Sequence, residues 1–391
     1  MGATEGEAPR AAAWLRRRWR WIAAGIAALV VLIAVVGAVS WHFSSAVLVP
    51  DHSDWSEDTT VEGLGPGRIV LSRSEDSERP GVYGLEWQAG HAIAGAVTST
   101  DEGTVTRALR GVRGYLVPGM KVAIESQVHK GDPGQALGLP FADVRVPGEL
   151  GPMPAWLVPG RGDTWAIVVH GINDNRQVGL RIAPTLHRLG LPSLAIAYRE
   201  DLGAPPSPDG FHHMGLTEWR DLEAAARFAL RRGARRLVLI GYSMGGALVA
   251  QFMQRSPLAP RVAGLVLDAP ALDWQEILSF QATEMGFPSF FSLPIEWAIG
   301  ARIDADWESL DAVRHPEDFQ LPILLFHGIA DKLIPISTSD EFAAELPRWV
   351  TYHRVPMAGH TQEWNVDPRL YERRLASFLS GFDATSGTPS R

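Results

Sequence analysis

Arg235-Arg-Leu-Val-Leu-Ile240, then Gly241-Tyr-Ser-Met-Gly245, then Gly246-Ala-Leu-Val-Ala-Gln-Phe-Met-Gln254 form one unbroken stretch that sets the fold class. The first segment is a short apolar run of Leu, Val and Ile, the pattern of a parallel strand buried on both faces. The last keeps apolar side chains at Met244, Leu248 and Phe252, and beside them Val249 and Met253, a helical spacing. Gly-x-Ser-x-Gly lies between them. A chain turning from strand to helix within two residues holds the serine in a strained conformation, and only flanking glycines let the backbones pass so closely. The turn lifts the Ser243 hydroxyl above the sheet at the N-terminal end of a helix. It is a nucleophile elbow, and the flanking strand and helix carry that reading more than the pentapeptide does.

Strand and helix patterns alternate on both sides of the elbow. Val144 to Val146, Ala155 to Val158 and Trp165 to Val169 read as successive strands, followed by a helix over Gln177–Leu189 that ends at Gly190. Ser193 to Ala197 is the next strand. Thr217 is the expected N-cap of a helix through Trp219, Leu222, Ala226 and Leu230. Arg261 to Leu267, Ile323 to Phe326 and Thr351 to Val355 complete the strands. This alternation predicts an α/β domain over 142–382, a doubly wound, mostly parallel sheet with its functional groups at the strands' C-terminal ends.

A serine hydroxyl becomes a nucleophile when a histidine takes its proton and a carboxylate orients that histidine. Asp331 follows the strand ending at Phe326, and His360 follows the strand ending at Val355. The order Ser243, Asp331, His360 is the one expected when an elbow serine leads. Asp268, at the end of the strand after the elbow helix, competes for the carboxylate role; Asp331 is preferred because its strand lies nearer the histidine's own. The oxyanion needs amide donors, and Met244 N–H at the start of the elbow helix is one. The second expected donor is Ile172 N–H, in the loop His170-Gly171-Ile172 that directly follows a strand, with His170 as a brace. The polar loop from Arg199 to Gly215 reads as surface.

The alternation lapses between about 271 and 320, where Phe290, Phe291 and Trp297 sit among many apolar residues. An insertion at this point sits above the serine as a lid would. Those three side chains, with Tyr242 of the elbow, are the expected contacts to an apolar acyl group.

The N-terminal part is different in kind. Arg16, Arg17, Arg18 and Arg20 precede an uncharged run from Trp21 to Trp41, long enough to span a bilayer and ended by tryptophan on both sides. The charge asymmetry places residues 1–20 in the cytoplasm, a membrane anchor at 21–43 and everything after it outside. A cleaved signal peptide is the alternative, but its apolar region is shorter. An acidic linker over 44–67 follows. Residues 68–141 show short alternating runs separated by Gly- and Pro-containing turns, a β-rich region in which His91 and His129 read as surface residues. Residues 383–391 read as a disordered tail. The net charge of -8 gives no reason to expect a nucleic-acid partner, and the absence of cysteine excludes thiol catalysis and disulfides.

From about Ala142 to Phe382 the chain resembles the α/β-hydrolase fold superfamily, on His170-Gly171, Gly241 to Gly245, Asp331 and Ala358-Gly-His360. It is similar in particular to bacterial serine hydrolases grouped near serine aminopeptidases and membrane-anchored esterases. The resemblance implies a Ser243–His360–Asp331 triad, an acyl-enzyme intermediate, no metal and no cofactor. The expected activity is hydrolysis of an ester or thioester of an apolar acyl group, on a small-molecule substrate. A peptidase with the same triad and a non-catalytic binding protein on this fold are the alternatives.

Overall fold

The computed structural model describes residues 8–53 and 57–382, so the expected tail at 383–391 lies outside the described residues. A single helix runs from Ala8 to Leu48, 41 residues and so about 60 Å long. From Arg16 onward it is apolar enough to cross a membrane, and its Ile22, Val30, Ile33 and Trp41 face outward. The helix does not stop where the anchor was expected to give way to a linker. Phe43 to Leu48 stay helical because they find a surface to pack on: Ser44 and Leu48 are fully buried, Leu48 in the core of the α/β domain. Pro50 lies just past the end, where it disfavours another helical turn in the residue before it.

The chain then builds a closed barrel of antiparallel strands. In sequence these are β1 (Thr59–Gly65), β2 (Arg68–Ser72), β3 (Tyr83–Trp87), β4 (Gly90–Asp101), β5 (Thr104–Arg113) and β6 (Lys121–Glu125). Their spatial order is β1-β2-β5-β4-β3-β6, with β6 closing onto β1. Period-two alternation turns Val61, Ile69, Leu71, Leu85, Trp87 and Val122 into the interior. The expected linker therefore already contains β1. His91 is buried, with Nε2 on the Val128 carbonyl at 3.1 Å, and burial pushes His129 down to about 4, so neither is the surface histidine the sequence suggested.

The second sheet comprises β7 (Ala142–Pro147), β8 (Pro152–Val158), β9 (Thr164–Val169), β10 (Ser193–Ile196), β11 (Arg236–Tyr242), β12 (Val262–Asp268), β13 (Ile323–Gly328) and β14 (Val350–Val355). Its order is β14-β13-β12-β11-β9-β10-β8-β7, antiparallel at β7–β8 and β8–β10 and parallel elsewhere. β9 and β13 are buried along their whole length, as is usual for parallel strands covered on both faces. The helix expected at 177–189 divides into a 3₁₀ turn, Arg176–Arg181, and a short α-helix, Ala183–Arg188. Pro184 has no N–H to give to a carbonyl four residues back, so it starts a new helix and cannot continue an old one. The helix Trp219–Arg231 is entered through Glu218, not capped by Thr217. The buried Glu218 carboxylate accepts from the amides of His213 at 2.6 Å and Gly215 at 3.0 Å.

Residues 271–320 carry two helices, Trp274–Glu284 and Ser292–Ile303, between β12 and β13. The second packs beside the C-terminal end of the N-terminal helix, where Arg302 Nη1 donates to Ser44 Oγ at 2.7 Å and Ser45 Oγ at 2.9 Å.

If the N-terminal helix is part of the domain core, Leu48→Ala should cost about 2–5 kcal/mol. The change Val49→Ala, at the exposed neighbour, should stay within about 0.5 kcal/mol. Chemical denaturation of both variants in the same detergent checks this, and equal stabilities would mean that the helix end is only loosely attached.

Candidate active site

Ser243 joins β11 to the helix Met244–Arg255 with φ 51 and ψ -121, a backbone state that side-chain-bearing residues avoid. Such a residue costs about 1–3 kcal/mol and persists only where its surroundings over-determine it. Here they do. The Ser243 amide donates to the Asp268 carbonyl at 3.0 Å, and the Ser243 carbonyl accepts from Gly246 at 2.8 Å and Ala271 at 3.0 Å. A Cβ at Gly245 would lie 2.3 Å from the Val169 carbonyl oxygen, so only glycine lets the elbow helix start this close to β9.

His360 follows β14, in a loop whose Met357 and Thr361 also have positive φ. Its Nε2 lies 2.9 Å from Ser243 Oγ and its Nδ1 lies 2.8 Å from Asp331 Oδ2. The other Asp331 oxygen accepts the backbone amides of Leu333 at 2.8 Å and Ile334 at 3.0 Å. Burial opposes the charge on Asp331, yet the charges of His360 and His327 and the side-chain hydrogen bonds to them hold its carboxyl far below the usual carboxylate range. The rival Asp268 sits elsewhere. Its Oδ2 accepts the Tyr371 hydroxyl at 2.7 Å. Burial, and then the charge of Asp268, push the neighbouring Glu363 well up. Asp268 thus belongs to a buried polar group behind the elbow.

The loop after β9 comes equally close to the serine. A Cβ at Gly171 would stand 2.9 Å from Ser243 Cβ. The Gly171 carbonyl takes the Tyr198 hydroxyl at 2.8 Å and faces His170 Nδ1 at 2.8 Å. A trans peptide points its C=O and the following N–H in opposite directions. Fixing the Gly171 oxygen on one side therefore turns the Ile172 N–H to the other. Neither Ile172 N–H nor Met244 N–H donates to a protein acceptor among the described residues. Residues 172 and 244 thus offer two free amides on the two segments that meet at Ser243.

Residues 164–311 match the family model described as serine aminopeptidase, S33, and residues 60–125 match a domain of unknown function (DUF8805). The chain has the α/β-hydrolase fold. Among solved structures it is similar to the esterase Pf2001 of Pyrococcus furiosus. In one crystal form of that esterase the TM-score is 0.51 at 18% identity, covering 66% of this chain and 96% of that one. In another it is 0.50 at 20% identity, covering 64% and 96%. An uncharacterized protein of Mycobacterium tuberculosis H37Rv is 25% identical over 232 residues, 58% of this chain and 74% of its own length.

His170 was expected as a brace, but its partners and the other braces of this α/β-hydrolase site are not legible in the sequence. His170 is fully enclosed, its ring stacked on Tyr198 at 4.4 Å, with Nε2 on Asp201 Oδ2 at 2.8 Å and Nδ1 on the Gly171 carbonyl. Both partners only accept, so both ring nitrogens can donate only in the imidazolium form. Burial works against that charge, but the Asp201 carboxylate holds His170 above its ordinary value. Arg199, read from sequence as surface, is buried and grips Asp221 through Nε at 2.8 Å and Nη2 at 3.1 Å. His212 is also buried, with Nε2 on Asn173 Oδ1 at 3.2 Å, and the same oxygen accepts the Asp51 amide at 2.9 Å. Arg199 and His212 are internal because their polar groups are paired there, whereas the middle of the loop around Leu202 and Asp209 is exposed as the sequence suggested.

The four expected substrate contacts are not brought together. Tyr242 is buried in the sheet's second core cluster with Ile240, Phe326 and Tyr371, since strand alternation turns it away from its neighbour Ser243. Phe290, Phe291 and Trp297 face outward on the insertion, Trp297 at 75% exposure.

Adding the Gly171 methyl group should therefore displace the loop while leaving the core intact. Gly171→Ala should keep the cooperative unfolding transition but lose about 100-fold in kcat. Activity within a few-fold of the parent protein would mean the loop does not set the geometry at Ser243. A second expectation concerns pH. A carboxyl lowered on folding contributes stability that is full above its unfolded value near 4, and is lost as pH falls through the folded value. The stability gap between the parent protein and Asp331→Asn should thus be flat above about pH 5 and shrink on acidification below about pH 4. Urea midpoints across that range decide it, and a gap that widens in acid refutes the assignment.

Proposed function

We propose that this protein is a serine hydrolase cleaving an ester or thioester of an apolar acyl group, with Ser243 as nucleophile, His360 as general base and acid, and Asp331 as the orienting carboxylate. The observation that carries the reading is the continuous relay from Ser243 Oγ to His360 Nε2 at 2.9 Å and from His360 Nδ1 to Asp331 Oδ2 at 2.8 Å. Ser243 Oγ attacks the substrate carbonyl carbon while its proton passes to His360 Nε2. The carbonyl electron pair moves onto oxygen, and that oxyanion is received by the Met244 and Ile172 amides. Collapse breaks the bond to the leaving group, which departs with the proton from His360 as an alcohol or thiol. Water then repeats the sequence on the acyl-enzyme, releasing the acid and returning the proton to Ser243. Asp331 stays ionised throughout and steadies the imidazolium.

The N-terminal helix serves as a membrane anchor in this reading, with the arginines on the cytoplasmic side and the barrel and hydrolase domain outside. Its outward apolar faces and the four preceding arginines support that assignment. The insertion between β12 and β13 acts as the lid, and the barrel as a brace on the catalytic loops. Asn365, five residues after His360, supports the brace: its side chain donates to the Val82 carbonyl at 2.7 Å and the Ser126 carbonyl at 2.8 Å.

A peptidase is the second reading, favoured by the description of the matching family. One experiment separates the two. A fluorophosphonate probe should label the full-length protein and not Ser243→Ala, and p-nitrophenyl acyl esters should be turned over at least about 100-fold faster than aminoacyl p-nitroanilides, as kcat/KM. Faster cleavage of the anilides would establish the peptidase, and no labelling of folded protein would refute both.

A further inference from the structure

The insertion exposes Met285, Phe287, Phe290, Phe291, Leu293 and Trp297 to solvent. The rings of Phe287 and Phe290 each pack on Phe291, with centroids 5.5 and 5.0 Å apart, so part of the exposure is one continuous aromatic surface. From Met285 to Ala301 the sequence has one ionisable side chain, Glu296. It is turned inward, accepting from Ser292 Oγ at 2.7 Å and Gln275 Nε2 at 2.8 Å. The outer surface of this segment therefore carries no charge, on a protein of net charge -8. Soluble monomers rarely leave an apolar patch of this kind uncovered.

What covers it follows from where the segment is fastened. Arg302, one turn beyond Trp297, bonds to Ser44 and Ser45, and its guanidinium stacks on the Trp41 ring at 4.5 Å. Trp41 ends the uncharged run that begins at Trp21. A bilayer that accommodates this run has its interface at Trp41, and so at the insertion. The other end of the insertion reaches the catalytic groups. Ala271 N–H bonds the Ser243 carbonyl at 3.0 Å, and Gln281 Nε2 donates to the Lys332 and Leu333 carbonyls, next to Asp331, at 2.9 and 2.6 Å.

We infer that this aromatic face of the insertion lies in the headgroup–acyl boundary of the leaflet that the N-terminal helix enters, and that the substrate is a long-chain acyl ester lipid drawn laterally from that leaflet. The ester of such a lipid sits at the depth where the helix end holds the insertion, so its carbonyl approaches Ser243 without the acyl chain crossing water. This rests on the esterase and anchor readings above and narrows them to one substrate class.

The chain contains no cysteine, so Leu293→Cys gives a single site for an environment-sensitive fluorophore. In full-length protein reconstituted into phosphatidylcholine vesicles, its emission should shift to the blue and be quenched by brominated acyl chains in the vesicle. Emission typical of water, or a blue shift that brominated lipid does not quench, would overturn the proposal, the second because another protein copy would then cover the face. Flotation with the vesicles reports the anchor by itself. In parallel, Phe287→Ser combined with Leu293→Ser should reduce hydrolysis of vesicle-borne acyl lipid by about tenfold or more. Cleavage of a water-soluble p-nitrophenyl ester should stay unchanged. Equal loss on both substrates, or on neither, refutes the lateral route, whereas absence of soluble-ester activity in the parent protein would refute the esterase reading instead.

Discussion

One backbone conformation organises this molecule: the positive φ of Ser243, wedged between a strand and a helix that nearly touch. It is unfavourable in isolation and is held because β9, β11 and β12 are locked in register on either side. Asn173, Ala269, Met357 and Thr361 share the same kind of backbone state. All of these lie in segments that leave the C-terminal ends of strands around the elbow. The strain is concentrated where chemistry would occur, and the strands β9 and β13 beneath are buried along their whole length.

Around the elbow the protein uses charge where a soluble core would use methyl groups. The His170–Asp201 and Arg199–Asp221 pairs are both nearly inaccessible, and each fixes a loop carrying a candidate functional group or its support. A buried ion pair is a poor source of net stability but a strict geometric constraint, because a misplaced partner leaves an uncompensated charge. Arg107 of the barrel follows the same logic with carbonyls, donating to those of Gly95, Ser77, Arg79 and Gly81. The last lies against Asn365, so the barrel is locked onto the segment after His360.

The N-terminal helix is joined to the rest by the same kind of contact and not by a tether. Leu48 enters the hydrolase core, the following Asp51 amide binds the side chain of Asn173, and Arg302 holds the helix from the insertion. Whatever holds this helix therefore also orients the face of the domain that carries the insertion.

The strands, the elbow and the candidates Ser243, His360 and Asp331, the last preferred over Asp268, were legible in the residues alone, because each rests on local pattern: periodicity, glycine spacing, and polar residues directly after apolar runs. The barrel was legible only as short strands, since closure of β6 onto β1 is a long-range pairing with no local signature. Tyr242 was misplaced because its position in the motif says nothing of which side of the sheet it faces, whereas strand alternation does. The roles of Asp201, Asp221 and Asn365 appeared only in three dimensions. Their partners are 31, 22 and 283 residues away, and a buried polar group is recognised by what satisfies it. Sequence determined which side chains could form a relay; tertiary structure decided which carboxylate completes it and what holds each member in place, because both depend on contacts between segments that are neighbours only after folding.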